Sequence, residues 1–202
     1  MRKGRTVMTV LVTAFDPFGG MDTNSSLMVL ESLGNKVGNI HIEKLVVPTV
    51  FNDCVSLAWD KAMEIGADAI VCMGQAGGRG CITLEVIGIN YAFANICDNR
   101  GIKIEGEKLS DDGENAIFST LPVKDMVNAV KNAGFDASLS VSAGGFVCNS
   151  LLYGLLKKAQ DAKCDIKIGF VHLPYEKTQG KDGFAMNAED MLLCVEKMIE
   201  VI

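Results

Sequence analysis

Nowhere in the 202 residues do two cysteines stand at Cys-x-x-Cys spacing. The seven cysteines, at 54, 72, 81, 97, 148, 164 and 194, are odd in number and far apart. That pattern argues against a structural zinc site and against a disulfide framework. It suits reduced thiols in a cytoplasmic protein, most of them small buried hydrophobes. No apolar run reaches the ~18–20 residues of a membrane span. Positive charge is short as well: 19 Lys+Arg against 25 Asp+Glu leave a net charge of −6. A chain that lives on neutralising nucleic-acid phosphates carries the opposite sign. Neither nucleic acid nor membrane is therefore expected as a partner. Residues 1–5, with the apolar stretch behind them, imitate a signal peptide. The following Asp16-Pro17-Phe18-Gly19-Gly20 offers no small-x-small cleavage site, and a buried first strand explains the stretch better. There is no Pro/Gly/Ser linker, no repeat and no low-complexity segment, so one domain over 1–202 is the economical reading.

The chain is 49% hydrophobic and 22% charged, a globular composition. Apolar β-formers alternate with helical patterns. Strands are expected at 7–14, 40–47, 69–73, 81–89, 137–142 and 166–173. Helices are expected from Ser25 or Ser26 to about Leu33, at 51–65 with Gly66 as the stop, at 123–133, at 149–159, and from about Asn187 onward. Residues 90–122 are the least periodic and read as an excursion over the surface. Strands separated by helices predict a three-layer α/β/α sandwich with a mixed, mostly parallel central sheet covered on both faces.

In such sheets ligands collect at the carboxyl ends of the strands. Of the two histidines, His41 sits among polar neighbours at a strand start. His172 interrupts an apolar strand about to end at Pro174. It is either a core imidazole satisfied by a carbonyl or a general base. Cys148 stands between Ser142-Ala143-Gly144-Gly145-Phe146-Val147 and the expected helix. A thiol at a helix N-terminus meets unpaired N–H groups and the positive end of the dipole, which lower its pKa from about 8.5. The other reading is a buried thiol under a glycine turn. Glu85, between Leu84 and Val86, either faces water or is paired, since an unpaired buried carboxylate is costly. Together Cys148, His172 and Glu85 meet the logic of nucleophile, base and orienter. The loop from Gly74 to Gly80 lacks the Gly-Lys-Ser/Thr ending of a P-loop and does not fit GxGxxG. No nucleotide cofactor is expected. Arg79 within that loop either anchors it, positions catalytic groups or is a surface arginine.

At these residues the chain resembles the type I pyroglutamyl peptidases (pyrrolidone-carboxylate peptidases). The resemblance is carried by Phe15-Asp16-Pro17-Phe18-Gly19-Gly20, Val47-Pro48-Thr49-Val50-Phe51, Gly74-Gln75-Ala76-Gly77-Gly78-Arg79, Ile82-Thr83-Leu84-Glu85, Phe118-Ser119-Thr120-Leu121-Pro122, Ser142-Ala143-Gly144-Gly145-Phe146-Val147-Cys148-Asn149 and Gly169-Phe170-Val171-His172-Leu173-Pro174-Tyr175. It implies a cysteine peptidase that removes N-terminal pyroglutamyl residues through a thioester. Cys148 would be the nucleophile, His172 the base and Glu85 its orienter. Phe15, Phe18 and Phe146 would sandwich the lactam, Gln75 and Asn24 would bond its polar edge, and Thr49, Arg79 and Val147 would complete the site. It further implies a cytoplasmic enzyme without metal or organic cofactor, a homo-oligomer and often a tetramer. Where the family usually has Asp-Ala-Arg-Ile-Pro-Asp-Asn, this chain has Phe93-Ala94-Asn95-Ile96-Cys97-Asp98-Asn99. The alternative reading is a divergent paralogue: an amide hydrolase for another small acyl group, or a lactam-binding module that does not cleave.

Overall fold

The computed structural model describes residues 7–202. Residues 1–5, the start of the leader-like stretch, lie outside the described part. Strand β1 (Thr9–Phe15) is buried along its whole length, as a central strand covered on both faces must be. Helix α1 (Ser25–Ser32) takes its cap from Asn24, whose side chain accepts from the Ser26 N–H. The sequence pointed to Ser25 or Ser26; the chain reaches the cap conformation one residue earlier. Strands β2 (Lys36–Val37) and β3 (Ile40–Val47) pair antiparallel. Helix α2 (Asp53–Ile65) ends on Gly66, which adopts the left-handed conformation at φ 63°. Strand β4 (Ala69–Gln75) is again wholly buried.

After β4 come β5 (Ile82–Glu85), β6 (Ile87–Ile89), β7 (Ala92–Phe93), β8 (Glu105–Glu107) and β9 (Ala116–Phe118). Then follow α3 (Val123–Asn132), β10 (Ala137–Ser140), α4 (Val147–Asp161), β11 (Lys167–Leu173), β12 (Tyr175–Glu176), a 3₁₀ turn at Lys177–Gln179, β13 (Ala185–Met186) and α5 (Ala188–Ile199). Among the described residues seven strands form the central sheet, in the order β10-β5-β11-β4-β1-β3-β2. The pairs β1/β3, β1/β4, β4/β11 and β5/β10 are parallel, while β5/β11 and β2/β3 are antiparallel. The sheet is mixed and mostly parallel, with helices on both faces.

Strand alternation assigns every core residue to a face. Val10, Val12, Val71, Met73, Leu84 and Val171 pack with α1, α3 and α5. Leu11, Phe15, Ile70, Cys72, Ile168 and Phe170 pack with α2 and α4. Two expectations needed correction. Residues 81–89 are not one strand. Val86 donates to Ser140 O, and beyond it β6 leaves the sheet to pair with β9. The stretch 90–122 is also more than a surface excursion. Ala92, Ala94 and Ile117 join the core under α4, and the Asn149 side chain ties the β6–β7 connection down through Ile89 and Tyr91. These contacts come from outside the segment, so no periodicity within it announces them.

Helices α2 and α4 meet at Gly154, where an added β-carbon would stand 2.8 Å from both methyls of Val55. A stiff β-branched neighbour cannot swing away. Gly154→Ala is therefore expected to lower stability by about 1 kcal/mol, overpacking outweighing the helix-propensity gain. The double variant with Val55→Ala should be less destabilised than the sum of the single ones. Strict additivity in urea unfolding would show that the helices do not touch there.

Candidate active site

Glu85 and His172 come together because β5 and β11 run antiparallel in a fixed register. Phe170 lies opposite Glu85, and His172 opposite Thr83. Alternation then places Thr83, Glu85, Phe170 and His172 on the sheet face covered by α2 and α4, with Glu85 and His172 as diagonal neighbours. His172 Nδ1 lies 2.7 Å from Glu85 Oε1. An ionised carboxylate only accepts, so Nδ1 carries the proton and Nε2 presents its lone pair.

Arg79 Nη1 donates to the same Oε1 at 2.6 Å and also to Thr83 Oγ1, while Nη2 donates to Ser142 O at 3.0 Å. The second carboxylate oxygen, Oε2, is buried without a hydrogen-bond partner among the described residues. Burial works against the Glu85 charge. The His172 hydrogen bond and charge, helped by Ser140 and Arg79, outweigh it and hold the carboxyl below its usual range. For His172 the balance goes the other way. Burial lowers its pKa and the Arg79 charge adds to that, against the raising effect of Glu85. The imidazole is neutral at pH 7.

Cys148 is the second residue of α4. Gly74 is the register partner of His172 between β4 and β11. A β-carbon on Gly74 would stand 3.1 Å from Cys148 Sγ and 2.8 Å from Phe170 Cζ. The thiol thus rests over a strand end that only glycine leaves open, on the same face as the imidazole and one strand away from it. Among the described residues no side chain caps α4, whose N-cap residue is Phe146. The first-turn N–H groups are left to whatever docks there.

One expectation is overturned here. The Cys148 thiol is not lowered by its place at the helix start. Burial, followed by the Glu85 charge, pushes it up to about 12, against the lowering effects of Arg79 and its own backbone N–H. Packing against Gly74 and Phe170 removes more hydration than the helix end returns. Among the described residues no hydrogen bond joins Sγ to the imidazole. At rest the thiol and the base are both neutral.

The aromatic residues divide. Phe18 and Phe146 lie 6.0 Å apart between ring centroids, tilted by 44°, and Phe51 meets Phe146 edge-on at 5.5 Å. Phe15, only 2% exposed, packs on Phe170 at 6.3 Å and backs the site from within the core. Val147, the first residue of α4, is fully buried. Asn24, Thr49 and Gln75 belong to the framework around the slot. Asn24 caps α1 and donates to Asp16 O. Thr49 donates its N–H to Asp16 Oδ1 and its hydroxyl to Asp16 O. Gln75 Oε1 accepts from Ser25 N–H and from Gln179 Nε2, each at 2.8 Å, and its Nε2 reaches the Met21 sulfur at 3.7 Å.

Four contributors escaped the sequence reading. Phe51 buttresses Phe146, and Thr83 takes an Arg79 hydrogen. Asp98 and Asn99 pin their loop to the slot-bearing turn: Asp98 accepts from Phe51 N–H, and Asn99 donates to Asp16 Oδ1 and Pro17 O. The turn chemistry of Asp98-Asn99-Arg100-Gly101 was a usable signal; its partners were not.

Comparison with known proteins matches the family described as pyroglutamyl peptidase over residues 8–202. The chain is 42% identical over 198 residues to pyrrolidone-carboxylate peptidase 1 of Caldanaerobacter subterraneus subsp. tengcongensis, covering 96% of this chain and 98% of the relative. It is 40% identical over 198 residues to the pyrrolidone-carboxylate peptidase of Streptococcus suis, covering 96% and 92%. Among solved structures, Bacillus amyloliquefaciens pyroglutamyl peptidase I superposes with a TM-score of 0.91 at 36% identity, covering 96% of each chain. A mutant pyrrolidone carboxyl peptidase from Pyrococcus furiosus gives 0.91 at 34% identity, covering 96% and 97%.

The raised thiol makes a direct prediction. Iodoacetamide should label Cys148 slowly at pH 7, with a rate that climbs about tenfold per pH unit through pH 10, because only the thiolate reacts. Mass spectrometry of the Cys148 peptide separates it from the exposed Cys97. A plateau below pH 8 would show a resting thiolate and contradict the neutral pair.

Proposed function

The chain belongs to the pyroglutamyl peptidase family, and from that membership we propose that it removes N-terminal pyroglutamyl residues from peptides with Cys148, His172 and Glu85 as its catalytic residues. The observation that carries the residue assignment is the Glu85–His172 bond at 2.7 Å, made on the sheet face over which Cys148 sits. It fixes the tautomer in which Nε2 carries the lone pair.

Pyroglutamate is a flat, uncharged lactam. Phe18 and Phe146 offer it apolar walls, and Phe51 holds Phe146 in place. Gln75 and Asn24 are assigned to the lactam's polar edge on the family resemblance. Gln75 Nε2, with its distant sulfur contact, still has protons to offer. A free ammonium or a glutamate carboxylate would be stranded without a counter-charge in such a slot.

Attack begins from the neutral pair. His172 Nε2 takes the thiol proton as Sγ bonds to the carbonyl carbon joining pyroglutamate to the next residue. The carbonyl oxygen becomes an oxyanion beside the uncapped N–H groups of the α4 first turn, a donor set whose members are typically worth about 10²–10³-fold each. His172 then hands its proton to the departing amine, and the C–N bond breaks to leave a thioester. Water adds to the thioester, giving a proton to Nε2. Collapse breaks the C–S bond, returns the proton to sulfur and frees pyroglutamate. Glu85 stabilises the transient imidazolium. The unpaired thiols support a reducing, cytoplasmic setting, and the family resemblance supports a homo-oligomer, a tetramer by preference.

The test is release of a fluorescent amine from a pyroglutamyl conjugate. Cys148→Ser and His172→Gln should lower kcat by about 10³-fold or more, and Glu85→Gln by about 10²–10⁴-fold, with folding retained. Unchanged turnover in both of the first two would end the assignment. The base must be neutral, so activity should be full at pH 7 and fall as pH drops through the His172 pKa. That limb lies below the free-imidazole value of about 6.5. Glu85→Gln removes the charge that raises this pKa, so its limb should move to still lower pH. A limb that rises instead would show that Glu85 does not face the imidazole.

A further inference from the structure

We propose that Tyr91, Phe93 and Ile96 form an apolar subsite for the side chain of the residue that follows pyroglutamate, so that this chain favours peptides with a large apolar residue there. The proposal deepens the peptidase reading and rests on it. The three side chains are 47%, 48% and 46% exposed on a segment whose intervening residues Ala92 and Ala94 are buried. They therefore stand on the outer side of the segment while its alanines grip the core.

The segment spans the slot's two walls. At one end Phe93 N–H donates to Gly145 O at 2.9 Å, immediately before Phe146. The approach is so close that a β-carbon on Gly145 would stand 2.6 Å from Phe93 O. At the other end Ile96 Cδ1 lies 3.9 Å from the β-carbon position of Gly19, immediately after Phe18. The strip is also fixed. Asn99 ties it to Asp16 and Pro17, and Asp98 ties it to Phe51 N–H, Arg100 N–H and Ile102 N–H.

With the lactam against the Phe18–Phe146 pair and its carbonyl at Cys148, a leaving residue directed out of the slot would cross this rim. The strip offers such a residue no carboxylate or ammonium: residues 91–97 are Tyr-Ala-Phe-Ala-Asn-Ile-Cys. The nearby Lys103 and Glu105 are paired with each other. A leucine or phenylalanine side chain would cover exposed apolar surface there, while a charged one would find no partner. The same strip could instead meet a second copy of the chain, and the experiment separates the two.

Hydrolysis is measured for pyroglutamyl amides of leucine, phenylalanine, serine, aspartate and lysine. The expected kcat/KM for the leucine and phenylalanine peptides exceeds that for serine by about tenfold, the scale of a methylene or two in an apolar pocket. Both charged peptides should rank below serine. Phe93→Ser with Ile96→Ser should bring the leucine-to-serine ratio close to one, whereas Phe118→Ser, exposed on β9, should leave it as it was. Phe93→Lys should raise the aspartate peptide relative to the lysine peptide by about fivefold. A flat preference in the native chain overturns the proposal while sparing the peptidase reading. An unchanged ratio in the double variant, accompanied by a shift in sedimentation, assigns the strip to contact between copies and overturns it too. No cleavage of any pyroglutamyl peptide removes both.

Discussion

A single oxygen atom, Oε1 of Glu85, receives both the Arg79 guanidinium and the His172 imidazole, and the geometry of the site hangs on it. The carboxylate is fully buried. An uncompensated charge there would destabilise the fold by several kcal/mol, and removing one partner of such a pair typically costs about 3–5 kcal/mol. The charge is thus tolerable only while the loop carrying Arg79 and the end of β11 are both in place. Arg79 extends the constraint further. Its other arm holds Ser142 O, at the start of the glycine turn that leads into α4 and Cys148. One buried charge therefore ties together the loop after β4, the end of β5, the end of β11 and the approach to the nucleophile.

The other constraint is space. Cys148 can lie over the end of β4 because residue 74 has no side chain, and Phe170 fills the remaining room. The same packing that brings sulfur, imidazole and carboxylate onto one face also dries them. Drying strengthens the Glu85–His172 bond and raises the thiol. With thiol and imidazole both neutral, the site holds no thiolate–imidazolium pair at rest. It develops charge only when a carbonyl arrives at the uncapped helix start, where N–H groups are already oriented.

Several sequence readings carried through because their causes are local. The continuous apolar runs of β1 and β4, Gly66 as the stop of α2, and Pro174 at the end of β11 each depend on a few neighbouring residues. Cys148 at a helix start was legible for the same reason, since the glycine turn and the apolar stripe that follow one another there are contiguous in the chain. Where the cause was distant, the reading slipped. The split of β5 from β6 depends on Ser140. The burial of the 90–122 stretch depends on Asn149 and the underside of α4. The family resemblance made Phe15 a slot wall; in space it packs on Phe170.

By itself the sequence determined the alternation of strands and helices, the residue types able to attack, accept a proton and orient, and which of them end strands or open helices. All of this follows from backbone periodicity and side-chain chemistry over short spans. Only the tertiary structure decided that β5 runs antiparallel to β11, so that Glu85 falls diagonal to His172. It alone decided that Arg79 shares their oxygen, and that the Cys148 thiol is raised where the helix end promised to lower it. Register and hydration belong to pairs of segments far apart in the chain, and solvent is excluded only when those segments have closed on one another.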